Sequence, residues 1–337
     1  MVKPMPHQSI CLILTFCPQA TNHLYMRKNF YLILLLLSTA TSFAQTTAKE
    51  VNLFCYFKGS SSDGLHLAAS TDGLKWEALK GDSSFLKPTV AQDRLMRDPC
   101  IIKGADGLFH MVWTVSWADK GIGYASSKDL IHWSEQQFLP LMATEAGARN
   151  TWAPEITYDT KTKQYMIYWA STITGRYPAA DTVAEKGYNH RIYYTLTKDF
   201  KKFTPTQLLY DPGFNAIDAT ILPYGKRFVM FFKDETLKPV QKNIKIAYAD
   251  QLTGPYKQEG THITGNYWAE GPTAMQIGNK WFLYFDKYRN HKYGALTSTD
   301  LKTWADVSDQ VQLPLGIRHG TVFKVTAAEY EKLKAVK

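Results

Sequence analysis

The sequence predicts an all-β fold, a five-bladed β-propeller closed by pairing of its N- and C-terminal strands in one blade. Three observations lead there. A short segment recurs five times, each copy is preceded by an aromatic-rich strand, and the copies are displaced so that the two termini complete a single repeat.

The recurring segment runs Leu65 to Trp76 (LHLAASTDGLKW), Ile122 to Trp133 (IGYASSKDLIHW), Ile192 to Phe203 (IYYTLTKDFKKF), Ile244 to Tyr256 (IKIAYADQLTGPY) and Tyr293 to Trp304 (YGALTSTDLKTW). Each copy is an alternating strand, a polar turn carrying Asp, and an aromatic residue. Before the copies stand LFCYFKG from Leu53, FHMVWTV from Phe109, YMIYWAS from Tyr165, FVMFFKD from Phe228 and WFLYFDK from Trp281. These runs are rich in β-branched and aromatic residues and flanked by Gly, Asp and Asn, as strands are.

A third element starts each unit: RDPCII from Arg97, WAPEITY from Trp152, IDATILP from Ile217, EGPTAMQ from Glu270 and RHGTVFK from Arg318. Four starters precede their second and third strands. The fifth lies at the C-terminus with nothing to lead, while the strands at Leu53 and Leu65 lie at the N-terminus without a starter. A blade shared between the termini closes the ring and removes the free sheet edges of an open array. Two tandem β-sandwiches would also give regular strands, but they leave the displaced starter unexplained.

The formal charge is +9. The N-terminal segment contributes Lys3, Arg27 and Lys28 and no acid, so the remainder keeps an excess of six positive charges. These cations are scattered among acids with no basic run, which argues against a nucleic-acid partner. Met26-Arg27-Lys28, the apolar run Phe30 to Leu37 and Ser42-Phe43-Ala44 read as an export signal cleaved before Gln45. That reading predicts a secreted or periplasmic protein comprising one propeller domain over residues 45–337. Translation is expected to start at Met26, the alternative being a leader from Met1. The apolar run is too short to span a bilayer. Cys11 and Cys17 would leave with the leader, and Cys55 and Cys100 are expected as buried free thiols.

In a propeller the starter strands line the central channel. Each places a polar residue at or near one position: Asp98, Glu155, Asp218, Glu270 and His319, beside small residues or Pro. An Asp at a strand entrance is often only a turn former. Four acids and a histidine converging on one axis are electrostatically costly, which marks a site. Arg97 and Arg318 flank the same mouth, placed to hold Asp218 or a ligand hydroxyl. Trp117, Trp152, Tyr267 and Trp268 lie near the starters, either as stacking platforms or as core. The stretch from Ile173 to Asn189 interrupts a blade and is expected as a rim loop.

The motifs RDP, WAPE, IDAT, EGP and RHG, in this order over residues 51–326, resemble glycoside hydrolase family 43. The resemblance implies a five-bladed propeller that hydrolyses α-L-arabinofuranosides or β-D-xylosides with inversion. By motif it implies Asp98 as base, Asp218 as the Asp that tunes and orients, and Glu270 as acid. From their places on or near the starters, Arg97, Trp117, Trp152, Glu155, Trp268 and Arg318 are expected to bind the carbohydrate substrate. Inversion needs two carboxyl groups roughly 6.5–9.5 Å apart with a water between them, which residues on different blades can supply. No cofactor is required. The resemblance also implies an axial calcium or a water cluster beside His319, although calcium prefers oxygen ligands and a buried histidine satisfied by carboxylates is the plainer alternative. Galactofuranosidases and galactanases share the fold, so the sugar stays open. So does a non-catalytic carbohydrate-binding propeller, whereas a kelch or WD interaction propeller needs no such acids.

Overall fold

The structure is a computed structural model, and it describes residues 50–177 and 185–337. The leader with its cleavage site and the middle of the expected rim loop lie outside the described residues.

Five four-stranded antiparallel sheets form the blades, each ordered from an inner strand outward. The inner strands are Arg97–Lys103, Trp152–Asp159, Ala216–Tyr224, Glu270–Ile277 and Ile317–Thr326, which open blades I to V. Blade V draws its remaining strands from the N-terminus: Glu50–Lys58, His66–Ser70 and Glu77–Ala78. The pairing of Leu53 with Phe323 and of Phe57 with Arg318 closes the ring as the displaced repeat requires. No helix among the described residues is long and apolar enough to cross a membrane.

The second strands explain their own composition. A blade is covered on both faces by its neighbours, so these strands are apolar throughout rather than alternating with polar residues. Alternate side chains serve opposite interfaces. In blade III, Met230 and Phe232 pack with Met166 and Tyr168 of blade II, while Val229 and Phe231 pack with Leu283 and Phe285 of blade IV. Phe54 and Tyr56 meet Phe282 and Tyr284, and Leu53 and Cys55 meet Met111 and Trp113. With the cluster joining Val112 to Trp169, there are five apolar clusters for five interfaces. An open array would have four.

The recurrent turn is a local hydrogen-bonding device. In S-K-D-L-I-H, the Ser127 hydroxyl accepts from Asp129 N–H and Leu130 N–H, and Asp129 Oδ1 accepts from Ile131 N–H and His132 N–H. Ser70 with Asp72, Thr197 with Asp199 and Ser298 with Asp300 repeat the pattern. Such side chains replace the backbone partners that the strand has just lost. A C-terminal helix, Ala327–Lys334, is capped by Thr326 and Glu329 and buries Leu333 against the blade V–blade I core.

Cys55 and Cys100 are buried free thiols. Cys55 donates to the carbonyl of Pro99, across the seam between blades I and V, and to that of Thr321 on the paired strand of its own blade. Gly320 is required where the two terminal strands of blade V pair, because a Cβ there would fall 1.9 Å from the Cys55 carbonyl oxygen. Gly320→Ala should therefore destabilise the fold by roughly 1–3 kcal/mol in urea unfolding. Gly59→Ala, where a Cβ meets nothing within 4 Å, should stay within about 0.5 kcal/mol of the parent.

Candidate active site

Each inner strand carries a bulge near its start. In blade I, Arg97 pairs with Thr114 and Cys100 with Val112, so two residues, Asp98 and Pro99, oppose one. The same irregularity occurs after Trp152, Ile217 and Glu270, and His319 is the extra residue in blade V. Asp98, Ala153, Asp218 and Gly271 occupy the equivalent bulge position, with φ of 50, 47, 55 and 57°. For non-glycine residues this left-handed conformation is strained, and it re-aims a side chain that regular pleating would send to a blade face.

The bulge corrects the expectation that the five polar residues share one position. Asp98, Asp218 and His319 sit at the bulge. Glu270 precedes it, in register with Arg97, Trp152, Ile217 and Arg318. Glu155 follows it, in register with Cys100, Thr220 and Thr273, and is deeper and 5% exposed.

A cavity of 260 Å³ opens at this end of the channel and receives side chains from all five blades. Asp98, Asp218 and Glu270 all line it, with Arg97, Trp117, Trp152, Arg318 and His319. Its size suits one small ligand rather than a polymer segment. Glu155 does not line it. Its carboxyl accepts from the Tyr168 hydroxyl at 3.1 Å, below the cavity floor. Trp268 lines an adjoining lobe, and Tyr267 stacks on Phe285 in the core.

Asp98 is held from two sides. Thr114 Oγ1 accepts from Ala153 N–H, which leaves its proton to donate to Asp98 Oδ2 at 2.8 Å. His319 Nδ1 lies 3.2 Å from Asp98 Oδ1. Burial alone would lower the His319 pKa, but the Asp98 carboxylate outweighs it and lifts the imidazole to about 9. Burial conversely opposes the Asp98 charge, and His319, Arg97 and Thr114 bring its pKa below the ordinary carboxylate value. The pair is thus imidazolium and carboxylate at neutral pH. Gly271 is needed here, since a Cβ would stand 2.5 Å from the His319 ring.

Asp218 accepts from Gly271 N–H at 3.0 Å. Burial, with the charges of Glu270 and Asp98 against those of His319 and Lys233, pushes it up to about 6. Glu155, also raised by burial, stands at about 7. Glu270 has a cation on each oxygen: Arg318 at 3.2 Å from Oε1 and Lys233 at 3.1 Å from Oε2.

Arg318 does not hold Asp218. Its Nε donates to Asp286 at 2.7 Å, and burial raises Asp286 to about 6 against that pairing. Arg97 donates to Ser61 and lies over the Phe57 and Trp117 rings at 4.6 and 4.5 Å. Trp117 and Trp152 meet edge to face at 5.8 Å at the mouth.

Lys233 and Asp286 were not anticipated, nor were Thr114 and Glu235. Thr114, Lys233 and Asp286 end or nearly end second strands, which run antiparallel to the starters and so finish where the starters begin: Thr114 opposite Arg97, Lys233 opposite Ile217, Asp286 opposite Glu270. The polar endings of FVMFFKD and WFLYFDK were the available signal. Lys233 also pairs with Glu235 at 2.6 Å, and Glu235 with Lys242.

The axis does not fit calcium. His319 Nδ1 and both Asp98 oxygens are committed to each other and to Thr114, and among the described residues no group of three or more His, Cys, Asp or Glu side chains is arranged to hold a metal ion.

The family described as a probable glycosyl hydrolase domain, related to glycoside hydrolase family 43, matches residues 50–331. An α-L-arabinofuranosidase of Bifidobacterium longum subsp. longum is 26% identical over 118 residues, covering 32% of this chain and 11% of that protein. The chain thus spans about a tenth of that relative. Among solved structures, an exo-β-1,3-galactanase from Phanerochaete chrysosporium with β-1,3-galactotriose superposes with a TM-score of 0.50 at 12% identity, over 65% of this chain and 50% of the other. An α-L-arabinofuranosidase from Lactobacillus brevis gives 0.49 at 21% identity, over 63% and 72%. At such identities the galactanase speaks to the propeller fold alone.

The Asp98–His319 pair makes a signed pH prediction. The folded pKa of His319, about 9, exceeds its ordinary 6.5, so its contribution to stability is full below about pH 6.5 and is lost as pH rises through about 9. Asp98, depressed from 3.8, contributes above that value and loses its share as pH falls. NMR of the His319 ring should show protonation through neutral pH and a midpoint near 9. Asp98→Asn should lower that midpoint and remove the alkaline fall in urea stability. An unmoved midpoint would contradict the pairing.

Proposed function

The chain belongs to the family of probable glycosyl hydrolase domains related to glycoside hydrolase family 43, and from that premise we propose that it is a secreted, exo-acting, inverting glycoside hydrolase, an α-L-arabinofuranosidase. The observation that carries the chemistry is the convergence of Asp98, Asp218 and Glu270 on one small cavity, with Asp98 kept ionised by His319 and Thr114.

In this reading Asp98 accepts the proton of a water that attacks the anomeric carbon, and a carboxylate depressed by a fixed imidazolium stays available for that task. Glu270 gives its proton to the leaving oxygen from the opposite ring face. Arg318 and Lys233 then meet the charge left on its oxygens, which stabilises that charge as it develops. Asp218 is tied to Gly271 N–H, the residue after the acid, and fixes its approach. Trp117 and Trp152 provide apolar faces for the sugar at the mouth. The small volume of the acid-lined cavity supports removal of a terminal residue rather than cleavage within a chain. A β-xyloside or galactoside as substrate is the second reading, since the starter motifs do not separate these activities.

A panel of nitrophenyl arabinofuranoside, xyloside and galactosides tests the proposal. Turnover of the arabinofuranoside should dominate. Asp98→Asn should cost roughly 10³-fold or more on every substrate, because no carboxylate remains to activate the water. Glu270→Gln should cost far more on natural leaving groups than on nitrophenol, which needs little protonation. Equal losses on both would show that Glu270 is not the acid. Sugar binding without turnover of any panel member would make the protein a binding propeller.

A further inference from the structure

A general acid must carry a proton until the leaving oxygen takes it. Glu270 has a cation on each oxygen, Lys233 at 3.1 Å and Arg318 at 3.2 Å, and adjacent cations favour the ionised carboxylate. Each cation has a second carboxylate behind it. Arg318 Nε donates to Asp286 at 2.7 Å, and Lys233 Nζ lies 2.6 Å from Glu235 Oε2. Glu235 is paired through its other oxygen with Lys242. The charges thus alternate along one chain that runs Asp286, Arg318, Glu270, Lys233, Glu235, Lys242.

The two outer carboxylates behave differently. Burial pushes Asp286 up to about 6, so its charge changes close to neutral pH. Burial opposes the Glu235 charge as well, but Lys233 and Lys242 outweigh it and bring Glu235 below the ordinary carboxylate value. Glu235 therefore keeps a constant negative charge beside Lys233 while the groups around it titrate. Lys233 and Lys242 are both buried, where charges act on one another with little screening.

The backbone fixes Glu235 in that place. It follows the second strand of blade III, Arg227–Asp234, and its N–H donates to the Asn215 carbonyl at 2.8 Å. The chain then turns, closed by Gln241 N–H on the Thr236 carbonyl at 3.0 Å, and returns with Lys242. The Lys242 carbonyl accepts from Ala269 N–H at 2.9 Å, one residue before Glu270. One short loop therefore carries both Glu235 and Lys242, and it is hydrogen-bonded to the chain that presents the acid.

We infer, resting on the hydrolase reading, that Glu235 is a positioning residue for the reaction: it takes up the Lys233 charge so that Glu270 can hold its proton for the leaving oxygen. The other groups around Glu270 do not duplicate it. Asp218 of blade III, like Asp286 of blade IV, is raised by burial to about 6. Asp98 of blade I is committed to His319 of blade V and to Thr114. Tyr288 lies 3.5 Å from Lys233, and burial pushes its phenol up, so it stays neutral. Arg289 lies over the Trp268 ring, and His190 is lowered by burial to about 4 and is neutral as well.

The test is the pH profile of kcat on methyl and nitrophenyl α-L-arabinofuranosides, or on the xyloside or galactoside pair if the nitrophenyl panel selects that sugar. In Glu235→Gln a negative charge near Glu270 is lost and Lys233 turns wholly to Glu270, and both changes favour the ionised acid. The alkaline limb on the methyl glycoside should therefore move down by about one pH unit, roughly a tenfold loss on that limb. The loss on the nitrophenyl glycoside, which needs little protonation, should be several times smaller. Glu235→Asp should restore part of the limb, and Lys233→Met should move it the other way. Carbon-13 NMR of the Glu270 carboxyl should show the same downward shift in Glu235→Gln without substrate, and the spectrum reports that the variant is folded. Equal losses on both glycosides, with the limb and the Glu270 titration unmoved, would make Glu235 a structural residue and overturn the inference, leaving the hydrolase reading standing. A Glu270 titration that moves as expected in a protein that turns over no glycoside would uphold the coupling and overturn the hydrolase reading.

Discussion

Nine residue pairs join Glu50–Lys58 to Ile317–Thr326, and most of the molecule depends on that one ladder. It brings together strands more than 250 residues apart in sequence, a costly closure in chain entropy that only a large buried surface offsets. The surface it creates is the fifth interface, where Leu53 and Cys55 pack against Met111 and Trp113. The ladder also delivers Arg318 and His319 to the channel mouth. Without it Asp98 would lose its imidazolium and Glu270 one of its cations. Closure of the fold and assembly of the site are thus the same event.

Within that ring the bulge sets the chemistry. A regular strand would send Asp98 and Asp218 into the apolar clusters between blades, where an ionised carboxylate is untenable. One extra residue and a left-handed turn of backbone rotate them to the axis instead. The crowding of acids there is answered by His319, Arg318 and Lys233. The answer is uneven: Asp98 is depressed while Asp218 is raised to about 6.

The propeller was legible because its repeat is physical. Ser-x-Asp turns and doubly buried aromatic strands recur wherever a blade needs them, and the orphaned starter at Arg318 announced the closure. Asp98, Asp218 and Glu270 were legible as acids on starters. Glu155 was not placed correctly, because motif alignment ignores the bulge, and two residues of register separate the cavity from the floor beneath it. Lys233 and Asp286 escaped notice because each ends a strand whose other residues are core, and a sequence does not display which starter lies opposite. Of the two roles offered for Arg318, holding Asp218 or a ligand hydroxyl, the first is not made: its partners are Asp286 and Glu270 of the neighbouring blade.

In the proposed hydrolysis Asp98 directs water to one face of a sugar whose leaving group departs from the other, toward Glu270. Proton NMR of the first minutes of hydrolysis of a glycoside of defined anomeric configuration tests it directly. The first-formed sugar should carry the inverted configuration, with the retained anomer growing in only as mutarotation proceeds. A first product of retained configuration would contradict it, because the attacking group would then have to be a protein carboxylate rather than a water held by Asp98.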